Sequence, residues 1–244
     1  MKVIAFAGGV GGAKLVNGLM KILPPSDFSV IVNTGDDFIF SGLHISPDID
    51  SVLYTCAGIN NPQTGWGLRD ETWNVMNALE MIGHPTWFHI GDKDMATHME
   101  RTRLLSLGHP LSEVTAIMAE KLQILHRVFP MSEMPVQTIL DTYELGKIPF
   151  QEYFVKYQCE PSIRDMIFEG IDTAVLPKPA WKDLIESELV IFAPSNPFVS
   201  IKPILAIPGI MDILREKKVI AVSPLIGGKT IKGPAAKMMK ELGY

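Results

Sequence analysis

Four carboxylates fall within fifteen residues of this chain: Asp36, Asp37, Asp48 and Asp50. Hard divalent cations take oxygen ligands, and magnesium characteristically takes one or two carboxylates, with substrate phosphates and waters completing its shell. Several aspartates beside one anionic ligand would repel it unless a cation lay between them. The cluster therefore reads as a magnesium site with Asp36, Asp37 and Asp48 as ligands. The competing reading is that Asp36 closes a turn and Asp48 caps the helix after it.

The matching anion is suggested by Val3-Ile4-Ala5-Phe6-Ala7-Gly8-Gly9-Val10-Gly11-Gly12-Ala13-Lys14-Leu15. Five apolar residues read as a buried strand, and Leu15, Leu19, Met20 and Leu23 follow at helical spacing. A strand that breaks at glycines and restarts as a helix presents bare N–H groups at the positive end of a helix dipole, a phosphate site. Gly9, Val10, Gly11, Gly12 and Lys14 are its expected contacts. Neither familiar glycine motif fits. A dinucleotide fingerprint from Gly9 meets Lys14 where its third glycine belongs, and a P-loop from Gly8 meets Leu15 where Ser or Thr should hold magnesium. The metal must then be held elsewhere, which returns the argument to the aspartates. A tight connection without a ligand remains the plain alternative.

Other polar groups sit where strands are expected to end. Asn33 and Thr34 precede the acidic cluster, and Ser195 and Asn196 follow an apolar run; either pair can read a base or ribose, or merely cap the next helix. His89 is expected at the end of a strand over Thr86–Ile90, with Trp87 on the same face. Asp94, His98 and Arg101 share one helical face, which is either solvated and salt-bridged or turned into a cleft. Gly227, Gly228 and Lys229, with Lys232 nearby, offer a second anion cradle. Two such loops on one sheet edge suit a diphosphate. Trp66, Trp73 and Trp87 can stack a flat ring or belong to the core. No Ser-His-Asp order, HExxH or CxxC pair is present to support a hydrolase or zinc reading.

The elements that must position these groups alternate. Strands are expected at 3–7, 28–32, 86–90, 189–193 and 219–222. Helices are expected after the glycines and at 52–56, 70–82, 92–107, 112–126, 201–206, 208–215 and 235–242, with a loop over 38–47. Residues 136–140, 150–157 and 163–167 read as strands without intervening helices. The chain thus divides into a core, 1–133 and 179–244, and an inserted β-rich subdomain or lid, 134–178. With 244 residues, 47% hydrophobic and 20% charged, a sizeable core is expected. A net charge of −5 with no basic block argues against nucleic acid. No apolar run approaches the ~18 residues of a membrane span, and no signal core follows the N-terminus, so no membrane partner is expected. Cys56 and Cys159 form no metal or redox pattern and read as thiols of a reducing cytoplasm.

Ala7–Lys14, Asn33–Asp37, Pro47–Asp50, Gly65–Trp73, Trp87–His98, Ala193–Pro197 and Ser223–Lys229 together resemble the 2-phospho-L-lactate transferase family of coenzyme F420 biosynthesis. The glycine motifs are weak singly; the long 65–73 and 87–98 blocks make the resemblance specific. It implies an α/β fold: a Rossmann-like three-layer core with a mainly parallel sheet and a smaller inserted subdomain. It implies Mg2+-dependent transfer of a phospholactyl group from a guanosine diphosphate ester of lactate, or its enolpyruvate analogue, to the deazaflavin alcohol FO. The products are F420-0 and GMP. Counterparts of Asp50 and His89 contact the acceptor, Asp50 orienting or deprotonating its hydroxyl or binding metal. We group Asn33, Thr34 and Trp87 with them, and Ser195, Asn196, Gly227, Gly228 and Lys229 with the guanosine diphosphate. A homodimer is allowed. Family members run several tens of residues further, so a last strand or helix is expected beyond this sequence. Two rivals remain. One is a nucleotide-sugar-binding metabolic regulator of the same superfamily; the other is an NAD(P) oxidoreductase, which the imperfect fingerprint disfavours.

Overall fold

The computed structural model describes residues 1–230 and 233–243; Lys232 lies outside the described residues. Five parallel strands form the central sheet: β1 (Val3–Ala7), β2 (Phe28–Val32), β5 (Arg127–Pro130), β9 (Leu189–Phe192) and β10 (Lys218–Ala221), in the order β10-β9-β1-β2-β5. β1 and β2 are buried along their whole length, which is why, Ser29 apart, they are apolar without alternation. Successive side chains still take opposite faces. Val3, Ala5 and Ala7 pack against α1 (Gly9–Ile22), α2 (Pro47–Cys56) and α5 (Leu111–Lys121). Ile4 and Phe6 pack against α6 (Lys178–Glu186), α7 (Lys202–Leu205) and α8 (Ile210–Leu214). Burying a side chain such as Ile4 or Phe6 contributes about 1.5–3 kcal/mol. The result is a three-layer α/β fold with the expected parallel sheet.

The strand order places a topological switch between β1 and β9, since the chain runs outward from β1 in one direction and from β9 in the other. Ligands of open parallel sheets bind outside the carboxyl ends of the strands at such a switch.

Several expected elements differ. Residues 86–90 form no strand. Trp87 and Phe88 are neighbours in sequence, yet both rings pack on Phe38 and Phe40, which a strand's alternation forbids. The expected loop over 38–47 instead forms a hairpin, β3 (Phe38–Phe40) with β4 (Leu43–Ile45). Its turn is Ser41–Gly42, both at positive φ, and Ser41 is a residue type that seldom signals such a turn. Together these residues build a separate cluster with Met76 and Ile90. The helix expected over 112–126 ends at Lys121, because Gln123 turns left-handed, and β5 follows. α3 (Asn74–Met81) starts later than expected, since Asp70 is also left-handed. α4 (Asp92–Ser106) is close to its expected span, with Gly91 as its N-cap.

Beyond β5, β6 (Gln137–Thr142) lies between β7 (Gly146–Pro149) and β8 (Ile163–Glu169) in an antiparallel sheet. Residues 150–157 are not a strand; Glu152–Lys156 make one widened π turn. This sheet shares an apolar cluster with Phe198, Val199 and Met238, and the Thr138 N–H donates to the Gly35 carbonyl at 2.7 Å. A short hairpin, β11 (Leu225–Ile226) with β12 (Lys229–Thr230), precedes α9 (Ala235–Glu241). Among the described residues, no helix is long and apolar enough to cross a membrane.

Candidate active site

The glycine run is the first turn of α1 rather than a loop before it. Of its four glycines only Gly9 has a positive φ, +54°. The others are needed for close packing against the chain itself. A Cβ on Gly11 would strike the Pro194 carbonyl oxygen, one on Gly12 would lie 2.5 Å from Ser195 Oγ, and one on Gly8 would strike the Asp48 carboxylate. Ser195 latches the two strand ends together: its hydroxyl donates to the Gly8 carbonyl at 2.6 Å and accepts the Gly8 N–H at 3.0 Å. Asn196 likewise turns inward, accepting the Phe198 N–H at 2.9 Å and donating to Met238 Sδ at 3.4 Å. Within the glycine turn, Gly9 to Gly11 form a rim that is partly open to solvent, with Lys14 exposed one turn on.

Three of the four aspartates gather at that rim. The Asp48 carboxylate accepts the backbone N–H of Gly9 and, at 2.9 Å, the Asn33 side-chain amide. A protein carboxylate thus takes the end of the α1 dipole. Burial, with the charge of Asp37, nevertheless pushes Asp48 from an ordinary 3.8 up to about 7. Asp36 is 5% exposed, and its Oδ1 has no partner. Burial first, then the charges of Asp48 and Asp37, raises it well above the usual carboxylate range. Asp37 is raised by burial although Ser46 donates to it at 2.7 Å and His44 Nε2 lies 3.1 Å away; its Oδ1 is also unpartnered. Adjacent buried carboxylates of this kind share a proton or a cation. Thr34 is buried beside them.

Asp50 turns away from this group. Arg101 donates to both its oxygens, Nη1 to Oδ2 at 3.1 Å and Nη2 to Oδ1. His98 Nδ1 stands 3.2 Å from Arg101 Nη1, and His98 Nε2 stands 3.5 Å from Asp94 Oδ2. Tyr54 donates to Asp94 at 2.6 Å. Burial pushes Asp94 up, but His98 and Tyr54 outweigh it and hold the carboxyl below its ordinary value. For Arg101, burial is the largest influence and lowers it, but the charge and hydrogen bonds of Asp50, with the charges of Tyr54 and Asp37, together outweigh it and raise it. With His98 at 2% and Arg101 at 1% exposure, the helical face of Asp94, His98 and Arg101 faces inward, not to solvent. Asp50, Asp94 and His98 offer ligand atoms within 4.8 Å of one another, a group compatible with a divalent metal. The sequence showed the shared face of α4; it held no signal that Asp50 is its partner.

The remaining expected residues are dispersed. His89 is exposed and tilts against Trp73, ring centroids 6.3 Å apart. Trp87 is half-buried in the Phe38–Phe40 cluster. Gly227 and Gly228, both at positive φ, form the exposed tip of the β11–β12 hairpin with Lys229, so they are a turn rather than a strand-to-helix cradle.

A family model described as 2-phospho-L-lactate transferase CofD matches residues 3–244. A phosphoenolpyruvate transferase of Thermobifida fusca is 39% identical over 255 residues, covering all of this chain and 79% of its own. A 2-phospho-L-lactate transferase of Methanopyrus kandleri is 40% identical over 245 residues, covering all of this chain and 78% of its own. Among solved structures, a UPF0052-family protein of Bacillus halodurans superposes with a TM-score of 0.62 at 16% identity, over 89% of this chain and 66% of that one. At that identity the likeness is one of fold.

Proposed function

The chain belongs to the 2-phospho-L-lactate transferase family, and from that premise we propose that it carries a phospholactyl or phosphoenolpyruvyl group from a guanosine diphosphate ester to the terminal hydroxyl of the deazaflavin FO, releasing GMP. The observation that carries this reading is the trio of buried aspartates at the rim of α1, two with an unpartnered oxygen.

In-line displacement at phosphorus depends on positioning and charge neutralisation more than on covalent help. The trio's donors are hard oxygens of the kind Mg2+ takes, and two of them lack any other partner, although among the described residues the group whose ligand atoms all lie within 4.8 Å of one another is Asp50, Asp94 and His98. Asp36, Asp37 and Asp48 would hold the ion, which would neutralise the diphosphate and the leaving oxygen. The chain's own residues prepare the place. Asn33 and the Gly9 N–H fix Asp48, while Ser46 and His44 fix Asp37. The N–H groups of Val10 and Gly11, with Lys14, are assigned to the diphosphate, since the Gly9 N–H is already taken by Asp48. Ser195 spends its hydroxyl on Gly8, so its part is to hold that turn. Asp50 is assigned to the acceptor hydroxyl, His89 beside Trp73 to the acceptor ring, and Thr34 to the space between. We place the reaction in the cytoplasm, in keeping with the unpaired Cys56 and Cys159.

Relatives named for either donor acid have nearly equal identity, so the experiment supplies both esters. The chain is incubated with FO, Mg2+ and each guanosine diphosphate ester, and products are identified by mass. A lactyl-phospho- or enolpyruvyl-phospho-deazaflavin with GMP is the expected outcome. Binding of the nucleotide without product from either ester would overturn transfer and favour a regulator.

A further inference from the structure

Asp50, Asp94 and His98 have the donors of a transition-metal site, yet the positive charge among them comes from the chain. Arg101 follows His98 by three residues on α4, and its guanidinium fork meets both oxygens of Asp50. Nη1 also lies 3.2 Å from His98 Nδ1 and donates to the His44 carbonyl at 3.4 Å. Arginine has donors only, so His98 Nδ1 must be the acceptor. The ring proton then sits on Nε2, which faces Asp94 Oδ2 at 3.5 Å. Tyr54, one turn beyond Asp50 on α2, donates to the other Asp94 oxygen, while His98 Nε2 makes no hydrogen bond among the described residues. A metal entering this group would have to displace the guanidinium from both Asp50 and His98. That would strand an arginine that is 1% exposed, at the high cost of a buried unpaired charge.

We propose that Arg101 is a positioning residue that fills the cation place of the Asp50–Asp94–His98 group. It keeps metal out of the group and sets the Asp50 carboxylate in one orientation, with lone pairs left for the acceptor hydroxyl. Only that last role rests on the proposed function. The requirement is for a planar fork, because a lysine ammonium cannot engage two carboxylate oxygens and an imidazole in one plane.

The test uses the full chain and Zn2+, whose coordination moves the nitrogen NMR signal of a ligating imidazole. In the wild-type chain, His98 is expected to show an unprotonated Nδ1, with ring signals unmoved by Zn2+. In Arg101→Ala, with folding checked by circular dichroism, the His98 signals should move, and the added Zn2+ uptake measured by calorimetry should vanish in Arg101→Ala/His98→Ala. A protonated Nδ1 or a Zn2+-shifted His98 in the wild type overturns the inference, as does a folded Arg101→Ala chain whose His98 ignores Zn2+. Arg101→Lys covers the case in which the alanine variant fails to fold. Its KM for FO should rise about tenfold or more, with kcat within about threefold, and an unchanged KM overturns the positioning role. An absence of transfer product in the wild type would count against the proposed function and leave the Zn2+ result standing.

Discussion

Two acidic regions look alike on paper: Asp36, Asp37 and Asp48 after β2, and Glu71, Asp92 and Asp94 around the start of α4. The fold treats them in opposite ways. Asp92 accepts four hydrogen bonds, from the Thr72 hydroxyl at 2.6 Å, the Asn74 side chain at 2.8 Å and the N–H groups of Asn74 and Val75 at 3.0 Å. Its carboxyl is held down at about 2, first by Thr72 and then by the Val75 N–H. Glu71 in return accepts the N–H groups of Lys93 at 2.7 Å and Asp94 at 3.1 Å. The contact is close enough that a Cβ on Gly91 would run into the Glu71 side chain. Each carboxylate thus satisfies donors at the start of the other segment's helix. At the α1 rim, by contrast, Asp36 and Asp37 keep unpartnered oxygens, and all three carboxyls are pushed up by burial. The pair with its donors filled is architecture. The trio with oxygens left over is where we propose a cation.

The sharpest way to break that contrast is Asp48→Asn. The amide keeps the shape and can still accept the Gly9 N–H, but removes the charge. Turnover is expected to fall by at least about 10²-fold, the scale of a disrupted metal environment. The metal-free chain should be no less stable at pH 8, because a repelling buried charge has gone. Activity is read with FO and the donor ester, and stability from urea midpoints. Normal turnover together with a large loss of stability would make Asp48 an ordinary cap and erase the difference between the regions.

The contrast also shows what the chain makes legible. Val3–Ala7 announces a buried parallel strand because nothing polar interrupts it, and the acidic and glycine runs fall at the carboxyl edge of the sheet. The inward face of α4 is legible as a spacing, Asp94, His98, Arg101. Its partner is not, because Asp50 lies 51 residues away and only tertiary packing brings it there. The strand expected at 86–90 fails for a related reason. Trp87 and Phe88 satisfy strand propensity, but the Phe38–Ile45 hairpin offers both rings one common apolar surface, and packing overrides the local preference. β5 was hidden by the apparent length of the preceding helix, which a left-handed Gln123 cuts short. The glycines have a packing reason that the sequence did not show: Gly8, Gly11 and Gly12 admit the chain's own Asp48, Pro194 and Ser195.

Metal addition probes the contrast with a smaller effect. Asp48's folded value of about 7 lies above its ordinary 3.8. A raised carboxyl favours the fold while protonated, so this contribution is fully present below about pH 4 and is lost as pH rises toward 7 and beyond. Asp36 shifts in the same direction. A cation that pairs with the ionised forms restores what is lost, and at a hundredfold excess over its Kd binding adds about 2.7 kcal/mol. The gain in Tm on adding Mg2+ should therefore be larger at pH 8 than at pH 5, and EDTA should remove both the gain and turnover. A gain equal at the two pH values would detach the metal from these carboxylates.

The smallest effect is expected at Asp92, and its pH window runs the other way. Its folded value of about 2 lies below the ordinary 3.8. A depressed carboxyl stabilises the fold above its unfolded value, and that contribution is lost as pH falls from about 4 through about 2. Asp92→Asn keeps one acceptor oxygen for the N–H groups of Asn74 and Val75, but loses the charge that favours a helix start. The site is open to solvent, which screens that charge, so Tm should fall by no more than a few degrees at pH 7. The difference between variant and wild type should shrink below pH 4, as the wild-type carboxyl begins to protonate. Turnover and the Mg2+-dependent gain in Tm should both persist, because none of the donors to Asp92 belongs to the α1 rim. A variant that keeps its stability but loses the Mg2+ response would show that the two acidic regions act as one.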